Sequence, residues 1–187
     1  MIPDNPFWTT YQDIVNDYKG SSGRDEELEL FRGLRGNIGD AILHAGLGRD
    51  SSGMALPHMN QLDRVALFEA TIELNRSRFQ LLRSKNLQEL FNVIGDIVNK
   101  TIGVAAVYHY DTALRIGFSL DLYPELVYLQ AGALEGAVSI NPNFAVGDPI
   151  PLTLLPEAFS NVRHYEAENI LCMYRQTIRR IRESEIS

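Results

Sequence analysis

The sequence holds one cysteine, four histidines and only three lysines in 187 residues, and none of its apolar runs approaches the ~20 residues of a membrane span. Each scarcity excludes something. A lone Cys172 cannot build an internal disulfide framework and fits a reducing compartment. Cations are the minority, 17 against 24 acids for a net charge of −7. That balance disfavours a nucleic acid or anionic membrane held by charge alone, because counterion release needs clustered cations. The segment from Met1 to Trp8 carries Pro3 and Asp4 where a signal peptide would need cations and then an apolar run, so a cytoplasmic location is expected. No paired His or Cys spacing occurs, and neither a metal nor a cofactor is expected.

What is present reads as helix. A chain 45% hydrophobic and 22% charged can remove roughly 70% of its unfolded surface from water at this length. The expectation is an all-α fold, one compact domain over 1–187 with about seven or eight helices and an exposed loop at 46–57. Trp8, Tyr11, Ile14, Val15 and Tyr18 recur by three and four, which predicts a helix over Phe7 to Tyr18. After Gly20-Ser21-Ser22-Gly23, the acids of Asp25 to Glu29 suit the positive end of a new helix dipole. Gly33 and Gly36 divide it from a further helix at Asn37 to His44.

The strongest pattern lies between Met59 and Arg83. Leu62, Val65, Phe68, Ile72, Phe79 and Leu82 form its apolar side, against polar Asp63, Arg64, Glu69, Glu73, Arg76 and Arg83. Asn86-Leu87-Gln88-Glu89 matches a capping box that opens another helix, ending before Gly103. Helices are also predicted over Tyr110 to Leu120, briefly from Pro124, from Pro156 to about Asn161, and over Tyr165 to Glu183. Gly132 to Pro151 reads as loop. The strand-like pieces, Val104 to Tyr108 and Val127 to Gln130, are too few to build a sheet.

Several positions could carry chemistry. Asp111 falls on an apolar helix face with Val107, Leu114 and Phe118, so it needs a role as N-cap or as ion partner of Arg115 one turn later. Arg115 could instead clamp a phosphate or carboxylate. His164, Glu168 and Cys172 line one strip of the last helix. Cys172 there is either covered by a neighbour or accessible, and His44 or His109 could pair with it. His44 and His58 flank the 46–57 loop. Fourteen of the cations are Arg. The groups Arg76, Arg78, Arg83, Lys85 and Arg175, Arg179, Arg180, Arg182 form either a basic patch or, as is commoner, a solvated face.

The run Ile102-Gly103-Val104-Ala105-Ala106, followed by Thr112-Ala113, resembles the helix-hairpin-helix element of DNA-repair proteins. That resemblance implies that amides of Gly103, Val104, Ala105 and Ala106, with Arg115, hold a nucleic-acid phosphate. The second hairpin glycine is Ala105 here, and Tyr128 to Gly132 supplies no glycosylase acid. Tyr110 to Gly117, Val127 to Gly132 and Ile170 to Tyr174 are similar to stretches of uncharacterised bacterial helical proteins.

Three functions follow as expectations. The first is a non-enzymatic binding or adaptor module with a protein partner or self-association, contacts coming from Trp8, Tyr11 or Tyr108 to Tyr110. The second is a nucleic-acid-binding protein built on the hairpin. The third is a small enzyme whose site groups Asp111, Arg115, Tyr128, Glu168 and Cys172.

Overall fold

A computed structural model describes residues 5–21, 26–50, 53–54, 62–99, 106–147 and 149–186. The fold is all-α, with ten α-helices and one two-stranded ladder among those residues. The chain gathers into two compact units, one of residues 23–124 and one of residues 1–22 with 125–187.

In the 23–124 unit, α2 (Glu26–Gly33), α3 (Ile38–Gly46), α4 (Arg64–Arg76), α5 (Arg78–Leu81), α6 (Leu87–Val98) and α7 (Ala106–Ser119) follow one another. Helix α7 is the axis, packed by α2, α3 and α6. Tyr108, Tyr110, Ala113, Ile116 and Phe118 are all buried along it, as expected of a helix covered on every side. It starts earlier than the Tyr110 to Leu120 span predicted, so Asp111 lies inside the helix and is not its N-cap. It ends where Asp121 adopts a positive φ of 61° and the Leu122 amide bonds back to the Gly117 carbonyl at 2.9 Å, a left-handed helix stop.

Local signals set the other boundaries. The Asn86 side chain accepts from the Glu89 amide at 2.8 Å, while Glu89 reaches past the cap to the Lys85 amide at 2.9 Å. Asp63 caps α4 through the Val65 and Ala66 amides. The predicted long helix is broken at Ser77, whose amide turns to the Glu73 and Leu74 carbonyls; residues 59–61 lie outside the described residues. Gly36, at φ 78°, makes the turn between α2 and α3. Of the 46–57 loop, only residues 46–50 and 53–54 are described: Gly46 still closes α3, and Asp50 and Met54 bond to each other.

Helix α4 faces the opposite way from its most obvious stripe. Ala66, Leu67, Ala70, Thr71 and Leu74 are its buried residues. At 100° per residue Val65, Phe68 and Ile72 fall on the far side of the helix. The inward face is chosen by size. A Cβ on Gly46 of α3 would stand 2.5 Å from Thr71 Oγ1, so only a face of small side chains admits α3 at that distance.

The other unit contains α1 (Tyr11–Gly20), β1 (Val127–Tyr128), α8 (Ala131–Ile140), β2 (Pro149–Ile150), α9 (His164–Met173) and α10 (Arg175–Ile186). Its core includes Ile14, Tyr18, Val127, Leu129, Phe159, Ile170, Leu171, Tyr174 and Ile178. Thr10 caps α1 in a full capping box with Asp13, which moves the predicted start from Phe7 to Tyr11. Val127 pairs with Ile150 and Tyr128 with Pro149, antiparallel. That ladder replaces the helix predicted from Pro124, because the chain leaves α7 through its left-handed stop and runs extended into the pair. The turn after Pro156 is a 3-10 helix over Glu157–Asn161. The last predicted helix is two, divided at Tyr174.

The largest departure from the sequence reading is α8, which lies where a loop was predicted. Glycine costs a helix about 1 kcal/mol per position, so Gly132 and Gly136 argued against one. Both are used for close packing. A Cβ on Gly136 would fall inside contact distance of the Leu171 carbonyl oxygen and 2.9 Å from its carbon; one on Gly132 would stand 2.6 Å from Cys172 Sγ. Helix α8 thus lies backbone to backbone on α9 and also packs against α10.

Candidate functional site

Arg115 is the most constrained charge of the 23–124 unit, with a side chain 6% exposed. Helix α7 carries it inward, and a buried guanidinium is tolerated only with partners. Its Nε donates to Glu27 Oε1 of α2 at 2.6 Å, and its Nη1 lies 3.6 Å from Asp111 Oδ2 one turn earlier. Two carboxylates thus already neutralise one guanidinium. Arg115 thereby joins α2 to α7 through Glu27, with Asp111 beside its Nη1. Glu27 was not legible as the partner, since it lies 88 residues away inside a run of helix-start acids. Of the hairpin amides, Gly103, Val104 and Ala105 lie outside the described residues, and Ala106 is the first residue of α7.

Tyr128, Glu168 and Cys172 belong to the other unit, so the five proposed catalytic residues divide between the two. Tyr128 is buried on β1, and burial, aided by the Glu125 charge, raises its hydroxyl pKa. Helix α8 covers the Cys172 strip in part. Gly132 sits against the sulfur, and Arg175 ties the strip down through the Cys172 carbonyl at 3.0 Å and Glu135 at 2.7 Å. His44 and His109 both lie in the 23–124 unit. Burial lowers the His109 pKa, and His58 lies outside the described residues. No three His, Cys, Asp or Glu side chains gather into a metal-holding group among the described residues.

Of the aromatics expected at an interface, Tyr108 and Tyr110 are buried, and Trp8 and Tyr11 are half-buried against the core of their unit. Tyr108 is buried and donates to the Gly46 carbonyl at 3.0 Å, its hydroxyl pKa pushed up to about 12 by burial. Tyr110 is buried as well. Trp8 lies edge-on to Tyr174 with ring centroids 5.4 Å apart, and Tyr11 meets Phe159 at 6.5 Å. Within the arginine clusters, exposed Arg76 pairs with Glu73 at 2.5 Å and Arg182 with Glu185 at 3.1 Å, whereas Arg175 and Arg180 are half-buried. Arg180 binds the Asn5 and Trp8 carbonyls.

The feature that packing leaves unexplained is the outer side of α4 and α5. Val65 is 65% exposed, Phe68 57%, Phe79 64% and Leu82 47%, with Ile72 half-buried between them. Val65, Phe68 and Ile72 share one face of α4, while Phe79 lies on the four-residue α5 beyond the break at Ser77 and Leu82 follows it. Arg78 lays its guanidinium over the Phe79 ring at 5.2 Å.

No family model, curated protein or solved structure matches this chain.

The assignment therefore rests on the chain's own chemistry. Scattered exposed apolar side chains such as Met54 or Val146 are ordinary on a protein surface. Neighbouring exposed apolar side chains such as Val65 and Phe68, on a helix whose inner face is already filled, are not. Ala66, Leu67, Ala70, Thr71 and Leu74 form a second apolar side of α4, the one that is buried, so the helix carries two apolar sides separated by Arg64, Glu69, Glu73 and Arg76.

Proposed function

We propose that the protein is a non-enzymatic binding module that acts through protein–protein contacts made by the outer face of α4 and α5. The observation that carries this reading is the exposed seam of Val65, Phe68, Phe79 and Leu82 on elements whose opposite side is packed into the core. The seam has the composition of an interface centre: two aromatic rings, aliphatic neighbours, and arginines at the edge. It offers neither a nucleophile nor an acid–base pair. Its convex, exposed apolar side chains suit a protein surface better than they do a small molecule, which a concave pocket would suit.

Site-directed photocrosslinking tests the reading. A benzophenone side chain at position 68 of the full chain is expected to yield protein adducts of defined mass in the native host, and the same probe at exposed Asn143 is not. Adducts at 68 should disappear when Phe79→Arg is added to the same chain. Failure to form any adduct at 68, or adducts indifferent to Phe79→Arg, would contradict the assignment.

A further inference from the structure

We infer that His109 makes the contact of α6 with α7 sensitive to acid: the two helices stay packed while its imidazole is neutral and loosen when the ring takes up a proton.

The ring lies where the two helices meet. They run antiparallel, since Gly117 of α7 is beside Leu87 and Leu90 at the start of α6, while His109 is beside Gly95 and Asn99 near its end. A Cβ built on Gly95 would stand 3.8 Å from His109 Nδ1, so the ring covers the one residue of α6 that has no side chain. Along α7, His109 shares its side with Ala113 and Ile116, both wholly buried. Its Nε2 is closed off from water and has no hydrogen-bond partner.

A neutral imidazole tolerates that setting, because one of its nitrogens is a bare acceptor. An imidazolium does not. Both nitrogens then carry hydrogen, so Nε2 becomes a buried donor with nothing to accept from it, on a ring whose new charge is partly withdrawn from water. No counter-charge offsets this among the described residues. On α6, Asp96 is exposed and Glu89 bonds to the Lys85 amide at the opposite end of the helix. Asp111 of α7 and Glu27 of α2 lie against Arg115, Glu29 of α2 pairs with Arg32, and Asp40 of α3 bonds to Asn37. His44 of α3 can add only positive charge.

Burial is what lowers the His109 pKa, so folding favours the neutral ring. The stability this brings is complete above the ordinary value of 6.5 and is lost as pH falls from there through the lowered pKa. Helix α4 packs against α6, so the loosening reaches the helix that bears Val65 and Phe68.

Two measurements on the full chain give the test. The four histidine rings are titrated by carbon–proton NMR, once folded and once in urea. The His109 signal is the one missing from His109→Gln, or the one left after Gln variants of His44, His58 and His164 assign the others. Its midpoint is expected to be lower in the folded chain than in urea. Hydrogen exchange, corrected for intrinsic rates, then compares about pH 7.5 with about pH 5. Peptides of α6 and α7 should lose protection about fivefold in the native chain and less than half as much in His109→Gln. His109→Phe, which keeps a ring, replaces that variant should it not fold. Peptides of α9 and α10 should be indifferent to the substitution. A His109 midpoint at or above its value in urea, or an equal acid response in native and substituted chains, would overturn the inference.

Discussion

Gly136→Ala is expected to lower the thermal midpoint by about 10 °C, corresponding to roughly 3 kcal/mol for a chain of this size. On helix propensity alone the substitution should stabilise α8 by about 1 kcal/mol. The sign reverses because the new Cβ would collide with the backbone carbonyl of Leu171, and α9 cannot withdraw from it without opening the contact of α8 with α9 and α10. Gly132→Ala provides the contrast. Its Cβ meets the end of a side chain, Cys172 Sγ, at 2.6 Å, so the cost should be smaller and should largely vanish in a Cys172→Ala background. Gly33→Ala has nothing within 4 Å of its Cβ and should be neutral or slightly favourable. Differential scanning calorimetry of the four variants checks the set; a Gly136→Ala variant as stable as Gly33→Ala would mean that α8 does not lie on α9 as described.

Arg115→Ala should be the most damaging change in the 23–124 unit, at about 3–5 kcal/mol by urea unfolding. It removes the cation that holds Glu27 and Asp111 together and leaves a void beside α7. The loss is electrostatic as well as steric, which a second variant separates. Arg115→Met fills most of the volume but keeps the two acids unpaired; adding Glu27→Gln and Asp111→Asn to it should recover more than half of the lost stability, since a neutral, filled site often equals a buried ion pair. No recovery would show that the acids are not confined near Arg115.

These two variants also mark what the sequence could and could not convey. Element type was legible wherever the signal is local. Asn86 with Glu89 announced α6, Gly33 and Gly36 divided α2 from α3, and Pro156 opened the turn that ends at Asn161. Long-range packing was not. Gly132 and Gly136 count against a helix until the carbonyl of Leu171 is known to lie against them. Glu27 is one acid in a run of four until α7 brings Arg115 to it. Asp111 and Arg115 were correctly linked because they are one turn apart on one helix, whereas a contact to α2 leaves no periodic trace.

Helix α4 carries the most instructive case. The bulky stripe of Val65, Phe68 and Ile72 is the more conspicuous signal on any scale of hydrophobicity. Yet Ala66, Ala70 and Thr71 are what allow α3 to approach, so the smaller side faces inward and the larger outward. Two apolar faces on one helix cannot be ranked by periodicity alone. The same ambiguity that obscured the core also concealed which face stays exposed.

Tryptophan fluorescence tests the central claim most directly. With Trp8→Phe removing the native reporter, Phe68→Trp places the chain's one indole on the α4 seam. Red-shifted emission and strong acrylamide quenching are expected, since position 68 stands on the exposed side of α4. A blue-shifted indole shielded from acrylamide would place position 68 in the core and contradict an exposed apolar face on α4.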